Sequence, residues 1–312
     1  MRVVLVHHTA LPVQGYGGTE RVVVSLVRGL VALGHEVTLL APPGTKVPEA
    51  RLIAVPQARL GDPTLDLTPL IPAGSDILHA FFPLRLSPQL PWVWTLQGTT
   101  KPGVVRPPNT IFVSADHAAR HSASAFVYNG LDPADLQFRA TKDDYDLFLG
   151  RLHSSKGYQW AIAGAKAAER KLIVAGGWRP SLSRFVKFVG TVDGAEKATL
   201  LAGARLMWMP ALWDEPFGLT LIEALWSGTP VLGTRRGSLA EILSDDVAAQ
   251  GDTLEELVAL LPTIPLKDPA ACRARAERWF SHLTLAEGYV RMYREYVATG
   301  VLPAGVRAEQ GG

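Results

Sequence analysis

The sequence predicts an α/β protein made of two doubly wound halves, each with a parallel sheet covered by helices. Short apolar runs alternate with helical patterns along the chain, which is typical of β-α-β units. A polar stretch, residues 131–146, interrupts this alternation near the middle of the chain, and the alternation then begins again. The 312 residues, 47% of them apolar, suffice for two cores.

The first half opens with a β-α-β unit. The run RVVLV predicts a buried strand, and a helix begins near Thr19 because apolar residues then recur at helical spacing. Gly34 ends this helix, and EVTLLA is the next strand. Further strands are predicted at RLIAVP, DILHAF, PWVWTL, TIFVS and SAFVY, whose apolar runs suit a sheet covered on both faces.

The second half repeats this order from the strand DLFLG. Helices are predicted at KGYQWAIAGAKAAE, AEKATLLAGA and LTLIEALWS, and strands at KLIVAG, RFVKFVG, RLMWMP and TPVLGT. A terminal helix over residues 285–297 has one apolar face, which we expect to pack on the body of the protein. The predicted domains are residues 1–140 and 141–282, followed by the terminal helix and a frayed tail in 283–312.

Composition and charge exclude several classes of protein. With 31 basic and 29 acidic residues the net charge is +2, which predicts no strong positive electrostatic field that would attract nucleic acid. The single cysteine, Cys272, excludes an intrachain disulfide and fits a reducing compartment. The apolar run at the N-terminus is too short for a signal peptide, and no run of about 18 apolar residues predicts a spanning helix. We expect a cytoplasmic protein and leave peripheral membrane contact open.

The stretch QGYGGTE, residues 14–20, lies between the first strand and the first helix. The adjacent glycines Gly17 and Gly18 allow close backbone approach, and the N–H groups at the helix start favour an anion. The alternative is a plain turn with Thr19 as the N-cap, and both interpretations stay open. The glycine spacing is not that of a dinucleotide-binding loop, which argues against a nicotinamide dehydrogenase.

The stretch GRLHSSKG follows the first strand of the second half, at the carboxyl end where doubly wound sheets bind ligands. Arg151 offers a planar fork of donors and Lys156 a mobile point charge, so both are candidates to bind one phosphate group. The alternative is a pair of solvated surface cations.

The stretch DEPFGLTLIEALWSG contains two glutamates eight residues apart in an apolar setting. Glu215 precedes a proline at the start of a predicted helix, and Glu223 lies within that helix. A buried carboxylate is costly without a partner, so either Glu223 faces solvent or both glutamates share a ligand. Carboxylates accept from the vicinal hydroxyls of sugars and ribose, and a helix start holds a diphosphate. The pattern therefore suits a sugar–diphosphate–nucleoside.

These residues carry a resemblance to a known family. The motif PxxxEPFGLTLIEAL with the following SGTPV and GSLAEI resembles the donor site of retaining GT-B glycosyltransferases of the large GT4 family, also called group 1. GRLHSSKG, VYNGLD and GYGGTE resemble further segments of that family, in the same order along nearly the whole chain. The resemblance implies two Rossmann-like domains facing a central cleft, with the acceptor on the N-terminal side and the terminal helix crossing back to that domain.

The resemblance also implies roles for individual residues. Glu215 would contact the transferred sugar, Glu223 the ribose, and the side chains of Arg151 and Lys156 the diphosphate. Further donor-binding groups would be the backbone N–H groups of Phe217, Gly218 and Leu219, with Gly17 or Gly18 from the first domain. The base would lie near residues 189–192, which include Gly190.

One position departs from the family pattern. After the strand WVWTL the family often has a histidine followed by glycine, whereas this chain has Gln97 followed by Gly98. Glutamine does not ionise, so Gln97 either only orients the sugar or the match is shifted. His79 ends another strand and is an alternative residue for the cleft, although a lone histidine is more often structural.

The implied reaction moves a sugar from a UDP- or GDP-linked donor to a carbohydrate, lipid or small-molecule acceptor, with retention of configuration. Two alternatives stay open: a nucleotide-sugar 2-epimerase and a non-catalytic nucleotide-sugar-binding protein. No cofactor is expected, and we expect transfer without a metal ion. Asp144 and Asp146 form an Asp-x-Asp string, but they precede a strand and so lie at the wrong end of the sheet to bind a metal at the diphosphate.

Overall fold

The computed structural model describes residues 1–13, 15, 17–62, 64–100 and 106–309. These residues form two compact units. The first contains Met1–Leu131 and Ser281–Val306, and the second contains Asp132–Phe280 and the chain from Arg307 onward.

Among the described residues, each unit contains one sheet of six strands. The strands of the first unit are β1 (Arg2–Val6), β2 (Glu36–Ala41), β3 (Arg51–Ala54), β4 (Ile77–Ala80), β5 (Trp92–Thr95) and β6 (Thr110–Ile111). Those of the second unit are β7 (Asp146–Leu149), β8 (Leu172–Ala175), β9 (Val186–Gly190), β10 (Met207–Met209), β11 (Val231–Gly233) and β12 (Ala248–Gln250).

The helices lie between these strands and after them. They are α1 (Gly18–Ala32), α2 (Gln57–Leu60), α3 (Ala115–Ala119), α4 (Tyr158–Ala167), α5 (Gly194–Gly203), α6 (Leu219–Trp226), α7 (Leu239–Ile242), α8 (Leu254–Leu260), α9 (Pro269–Trp279) and α10 (His282–Thr299). Short 3-10 turns occupy Thr68–Leu70, Pro133–Asp135, Ser154–Lys156 and Leu261–Leu266. None of the described helices combines the length and the apolar character needed to cross a bilayer.

Both sheets have the same doubly wound topology. The strand order is β3-β2-β1-β4-β5-β6 in the first sheet and β12-β11-β10-β7-β8-β9 in the second, and all these pairings are parallel. The direction of winding reverses between β1 and β4 in the first sheet and between β7 and β10 in the second. The predicted pair of doubly wound α/β units is therefore confirmed.

The core of each unit forms where apolar strands meet the apolar faces of helices. In the first unit, the side chains of β1 from Val3 onward are at most 1% exposed. Helix α10 packs closely on α1 at Gly29, because a Cβ atom there would collide with the carbonyl oxygen of His282 and lie 2.8 Å from the Cβ of Ala286. In the second unit, Trp208 of β10 is fully buried in the core.

The structure corrects several local predictions. SAFVY is not a strand: Phe126 makes a single bridge to Phe112, because β6 ends after two residues and the chain turns into α3. The N-cap of α1 is Gly17, so Thr19 lies inside the helix and the plain-turn interpretation with a Thr19 cap is wrong. Helix α9 was missed because its charged sequence lacks an apolar period, although Asp268 followed by proline marks its start.

The tail after α10 was predicted to be frayed; most of its described residues are exposed, but it makes hydrogen bonds within each unit. In the first unit, the N–H of Gly305 donates to the carbonyl oxygen of Ser124 at 2.8 Å. In the second unit, the carbonyl oxygen of Glu309 accepts from the buried Arg275 at 2.9 Å. Residues 310–312 of the predicted tail lie outside the described residues, as do residues 14 and 16 of the glycine loop.

Candidate functional site

The candidate site lies within the second unit, where its sheet reverses winding between β7 and β10. The loop after β7 carries Arg151 and Lys156, and the loop after β10 carries Glu215. The two loops are joined by the N–H of Leu212, which donates to the carbonyl oxygen of Ser155 at 2.8 Å. Carboxyl ends at such a reversal form the usual ligand crevice of a doubly wound sheet.

The loop after β7 is shaped by a 3-10 turn and a glycine. The turn Ser154–Lys156 is followed by Gly157, which has a φ of 70°. A side chain at Gly157 would be strained in this left-handed conformation and would collide with the carbonyl oxygen of Pro210. Glycine therefore allows the turn to approach the end of β10 and brings Lys156 to the loop that follows.

Glu215 is 7% exposed and has two side-chain partners. Its Oε2 forms an ion pair with Nζ of Lys156 and accepts from the indole N–H of Trp213 at 3.1 Å. The ammonium group of Lys156 also lies 4.7 Å from the centroid of the Trp213 ring, a cation–π contact. The three side chains form one cluster at the reversal point.

The segment GSLAEI holds the backbone around Glu215. The N–H of Ser238 donates to the carbonyl oxygen of Glu215, and its Oγ donates to the carbonyl oxygen of Phe217, each at 3.0 Å. Gly237 has a φ of 60°, and a Cβ there would lie 2.5 Å from both N and O of Glu215. Through these contacts the segment GSLAEI holds the backbone of Glu215 and Phe217 in place.

Helix α6 begins directly after this loop. Gly218 is its N-cap and adopts a left-handed conformation, with a φ of 80°. Phe217 is 2% exposed and packs edge-on against Phe280, with ring centroids 6.0 Å apart, so the helix start is firmly seated. The N–H groups at this end carry the positive pole of the helix dipole. Phe217, Gly218 and Leu219 thus present backbone donors next to Glu215.

Glu223 lies one turn into α6 and is 2% exposed, so the interpretation that it faces solvent is wrong. Its Oε1 accepts from Nζ of Lys197 on α5 at 2.7 Å. Sequence reasoning missed Lys197. Because a buried carboxylate needs a cation or a donor, the sequence signalled that a partner existed, but Lys197 is 26 positions away on another helix.

The other residues of this unit that were predicted to bind the sugar donor lie at the ends of strands β7 and β9. Arg151 is exposed just beyond β7, and its carbonyl oxygen accepts from the N–H of His153 at 2.7 Å. Gly190 ends β9 with a φ of 82°, and its carbonyl oxygen accepts from the N–H of Gly176 at 2.7 Å. Each glutamate pairs with its own lysine. The sharing of one ligand by the two glutamates stays a prediction.

In the first unit, Gly17 and Gly18 form the start of α1. A Cβ on Gly17 would collide with Val13 and lie 2.9 Å from a carboxylate oxygen of Glu20. Glu20 therefore places its own negative charge at this helix start, and its Oε1 accepts from the hydroxyl of Thr9 at 3.2 Å. An anion at Gly17 and Gly18 would have to approach this carboxylate.

Gln97 forms a reciprocal amide pair with Asn129 of the VYNGLD segment. Its Nε2 donates to the Asn129 Oδ1 at 3.0 Å, and the Asn129 Nδ2 donates back to the Gln97 Oε1 at 2.9 Å. Two such bonds need a donor and an acceptor on each side, which an imidazole ring does not offer in this geometry. Glutamine at this position is therefore matched to its neighbour.

His79 is fully buried inside the first unit, so its interpretation as a cleft residue is wrong. Its Nδ1 lies 2.6 Å from the hydroxyl of Tyr293 and its Nε2 2.7 Å from that of Thr95, which is 2.9 Å from the hydroxyl of Tyr289. Burial lowers the pKa of His79 to about 3, so the ring is neutral at physiological pH. This network fastens α10 to β4 and β5.

Asp144 and Asp146 lie at the amino end of β7, each paired with basic side chains. Asp146 is fully buried and pairs with Arg170 at 2.9 Å and with Arg205 at 3.1 Å. Asp144 is exposed and pairs with Lys171 and Arg205, each at 2.9 Å. Both carboxylates thus serve ion pairs at the end of the strand opposite Arg151.

Two family models match this chain. The model described as "Glycosyltransferase Family 4" matches residues 16–135, and the model described as "Glycosyl transferases group 1" matches residues 145–263. The chain belongs to the group 1, family 4 glycosyltransferases. The second match contains all four residues of the Lys156–Glu215 and Lys197–Glu223 pairs.

Relatives of this chain include the phosphatidyl-myo-inositol mannosyltransferase of Mycobacterium leprae, which is 29% identical over 163 residues. That match covers 50% of this chain and 42% of the relative, so the chain spans less than half the length of that protein in the match.

Among solved structures, AviGT4, a glycosyltransferase involved in avilamycin A biosynthesis, is similar to this chain with a TM-score of 0.76 and 29% identity. The similarity covers 97% of this chain and 99% of AviGT4. Anabaena Alr3699/HepE in complex with UDP-glucose has a TM-score of 0.63 at 16% identity, covering 96% of this chain and all of that one, which supports the fold alone. These likenesses confirm the GT-B fold.

Proposed function

We propose that the second unit binds a nucleotide-diphosphate sugar and that the protein transfers the sugar to an acceptor with retention of configuration. The observation that carries this proposal is that the two buried glutamates each pair with a lysine, Lys156–Glu215 and Lys197–Glu223, beside the start of α6. Family membership and the likeness to AviGT4 over nearly the whole chain support the reaction class.

In this proposal the cations and the helix start bind the diphosphate. Arg151 and Lys156 neutralise its charge, which grows as the bond to the sugar breaks. The N–H groups of Phe217, Gly218 and Leu219 donate to the same group. An ammonium group has three N–H donors, so Lys156 is able to bond Glu215 and a phosphate oxygen together.

The two glutamates bind hydroxyl groups in this proposal. Glu215 accepts from the transferred sugar, and Glu223 accepts from the ribose. Lys197 offsets the charge of the buried Glu223 and orients its carboxylate. The base then lies near Gly190. The roles of Gly17, Gly18 and Gln97 of the first unit in donor binding remain predictions. Each is tested by substituting that residue and measuring the affinity for the donor.

We further propose that transfer is independent of metal. Asp144 and Asp146, the two acids of the Asp-x-Asp string, are occupied by Arg170, Lys171 and Arg205, while the diphosphate has Arg151 and Lys156 as counter-charges. We expect activity to persist in excess EDTA. Activity that is lost with EDTA and restored by magnesium or manganese would contradict this part of the proposal.

The donor is proposed to be UDP- or GDP-linked, and the acceptor to be a carbohydrate, a lipid or a small molecule. Support comes from Anabaena HepE, whose structure contains UDP-glucose, and from the phosphatidyl-myo-inositol mannosyltransferases, whose name includes a lipid. We propose a cytoplasmic location, because the one cysteine, Cys272, is a buried free thiol and fits a reducing compartment.

A thermal-shift panel of nucleotide sugars tests the function. A ligand that binds the native state raises the melting temperature by mass action, so the true donor gives the largest shift. Incubation with that donor, with and without candidate acceptors, then distinguishes the reactions by their products. If no nucleotide sugar stabilises the protein, the proposal fails. Conversion of the donor alone into its 2-epimer would favour the epimerase alternative.

A further inference from the structure

Trp178 is a large aromatic side chain left 69% exposed just beyond the carboxyl end of β8. Tryptophan normally buries most of its surface in a folded protein. The loop that carries it, residues 176–185, joins the parallel strands β8 and β9 without a helix. An exposed indole on the ligand-binding edge of a doubly wound sheet calls for a physical explanation.

Backbone bonds hold Trp178 beside the end of β9. Gly177 forms an antiparallel bridge with Gly190. The N–H groups of Gly176 and Gly177 both donate to the carbonyl oxygen of Gly190, at 2.7 and 3.2 Å. Trp178 is the next residue, so its backbone lies alongside the chain that leaves β9 at Thr191.

The space beside Gly190 is open. A Cβ atom built on Gly190 would meet no described heavy atom within 4 Å. The loop is also anchored on its other side, because the guanidinium of Arg179 lies 5.3 Å from the ring centroid of the buried Tyr158. Tyr158 opens α4 two positions after Lys156, so this contact joins the loop that carries Trp178 to the helix beside the proposed diphosphate site.

We propose that Trp178 forms an aromatic wall of the nucleobase subsite and stacks on the base of the bound nucleotide. This inference rests on the proposed function, because it assumes a nucleoside diphosphate at the Lys156–Glu215 cluster. Every base has a π-face, so stacking on an indole contributes affinity without selecting one base by hydrogen bonds. Selection between bases would then fall to the backbone around Gly190.

The test measures binding of UDP and GDP by calorimetry, with inorganic pyrophosphate as a probe that lacks a base. We compare the wild type with Trp178→Ala, Trp178→Phe and Leu182→Ala. Leu182 is the matched control, because it is fully exposed in the same loop. We expect Trp178→Ala to weaken the better-bound nucleoside diphosphate by about 5- to 100-fold and to leave pyrophosphate binding unchanged. Trp178→Phe should retain most of the affinity, and Leu182→Ala all of it.

Three results would overturn the inference while the proposed function stands. Trp178→Ala binds the nucleoside diphosphate like the wild type, or it loses pyrophosphate affinity to the same extent, or Leu182→Ala weakens nucleotide binding equally. A wild-type protein that binds neither UDP nor GDP would overturn the proposed function as well.

Discussion

The two sheets share one topology but differ in what surrounds their central strands. In the second unit, the loops at the winding reversal bring together Lys156, Glu215 and Trp213, a charged cluster that is only partly buried. In the first unit, β4 at the reversal carries His79, a neutral group sealed in a network of hydroxyls. The difference teaches that strand order provides the position of a site, whereas its side chains provide the chemistry.

The largest effect is expected at the amino end of β7, opposite the charged cluster. Asp146→Ala should lower the free energy of unfolding of the second unit by about 3–5 kcal/mol, because Arg170 and Arg205 lose the buried carboxylate that they share. Denaturant unfolding measures the change, with Asp144→Ala as the exposed control, for which we expect less than about 1 kcal/mol. Equal losses in the two variants would contradict the assignment.

Next in size is the loss of a cation from the charged cluster. We expect Lys156→Ala and Arg151→Ala each to reduce sugar transfer by well over tenfold, because the leaving diphosphate loses charge stabilisation in the transition state. Steady-state kinetics provide the measurement. Lys187→Ala on β9 is the control, since Lys187 is an exposed lysine of the same unit, and its activity should match the wild type. Undiminished transfer in Lys156→Ala would contradict the assignment of the reaction chemistry to the charged cluster of the second sheet.

The third prediction separates the two glutamates. Glu223→Gln should weaken binding of the nucleoside diphosphate alone by about 1.5–3 kcal/mol, the value of a hydrogen bond to a charged group. Glu215→Gln should leave that affinity nearly unchanged and reduce transfer instead. Calorimetry with the nucleoside diphosphate compares the variants, each serving as the control for the other. The division of roles fails if both lose the same affinity.

The smallest effect concerns the neutral network of the first unit. The pKa of His79 is about 3 in the folded protein and near 6.5 when unfolded, so below pH 6.5 the unfolded state binds the extra proton. Stability from this residue is therefore present above pH 6.5 and is lost as the pH falls towards 3. The loss is about 1.4 kcal/mol for each pH unit below 6.5. Unfolding at pH 7.5 and pH 5.5 should show a smaller pH dependence in His79→Gln than in the wild type, and an identical dependence would count against this account.

The sequence by itself determined the alternation of strands and helices in both units and the position of the motif loops. Strand and helix periods are local, and the loops after β7 and β10 follow from the order of the elements. It also determined that a buried Glu223 needs a partner, because an unpaired carboxylate is costly wherever it is buried.

Only the tertiary structure decided which partners these residues take. Glu215 pairs with Lys156 across 59 positions, Glu223 with Lys197 across 26, and Gln97 with Asn129 across 32. His79 contacts Tyr293, which lies 214 positions away, so the sequence around His79 did not indicate its structural role. No local pattern encodes such pairs, because they depend on how whole helices and strands pack against each other, and the burial that makes each partner necessary arises from the same packing.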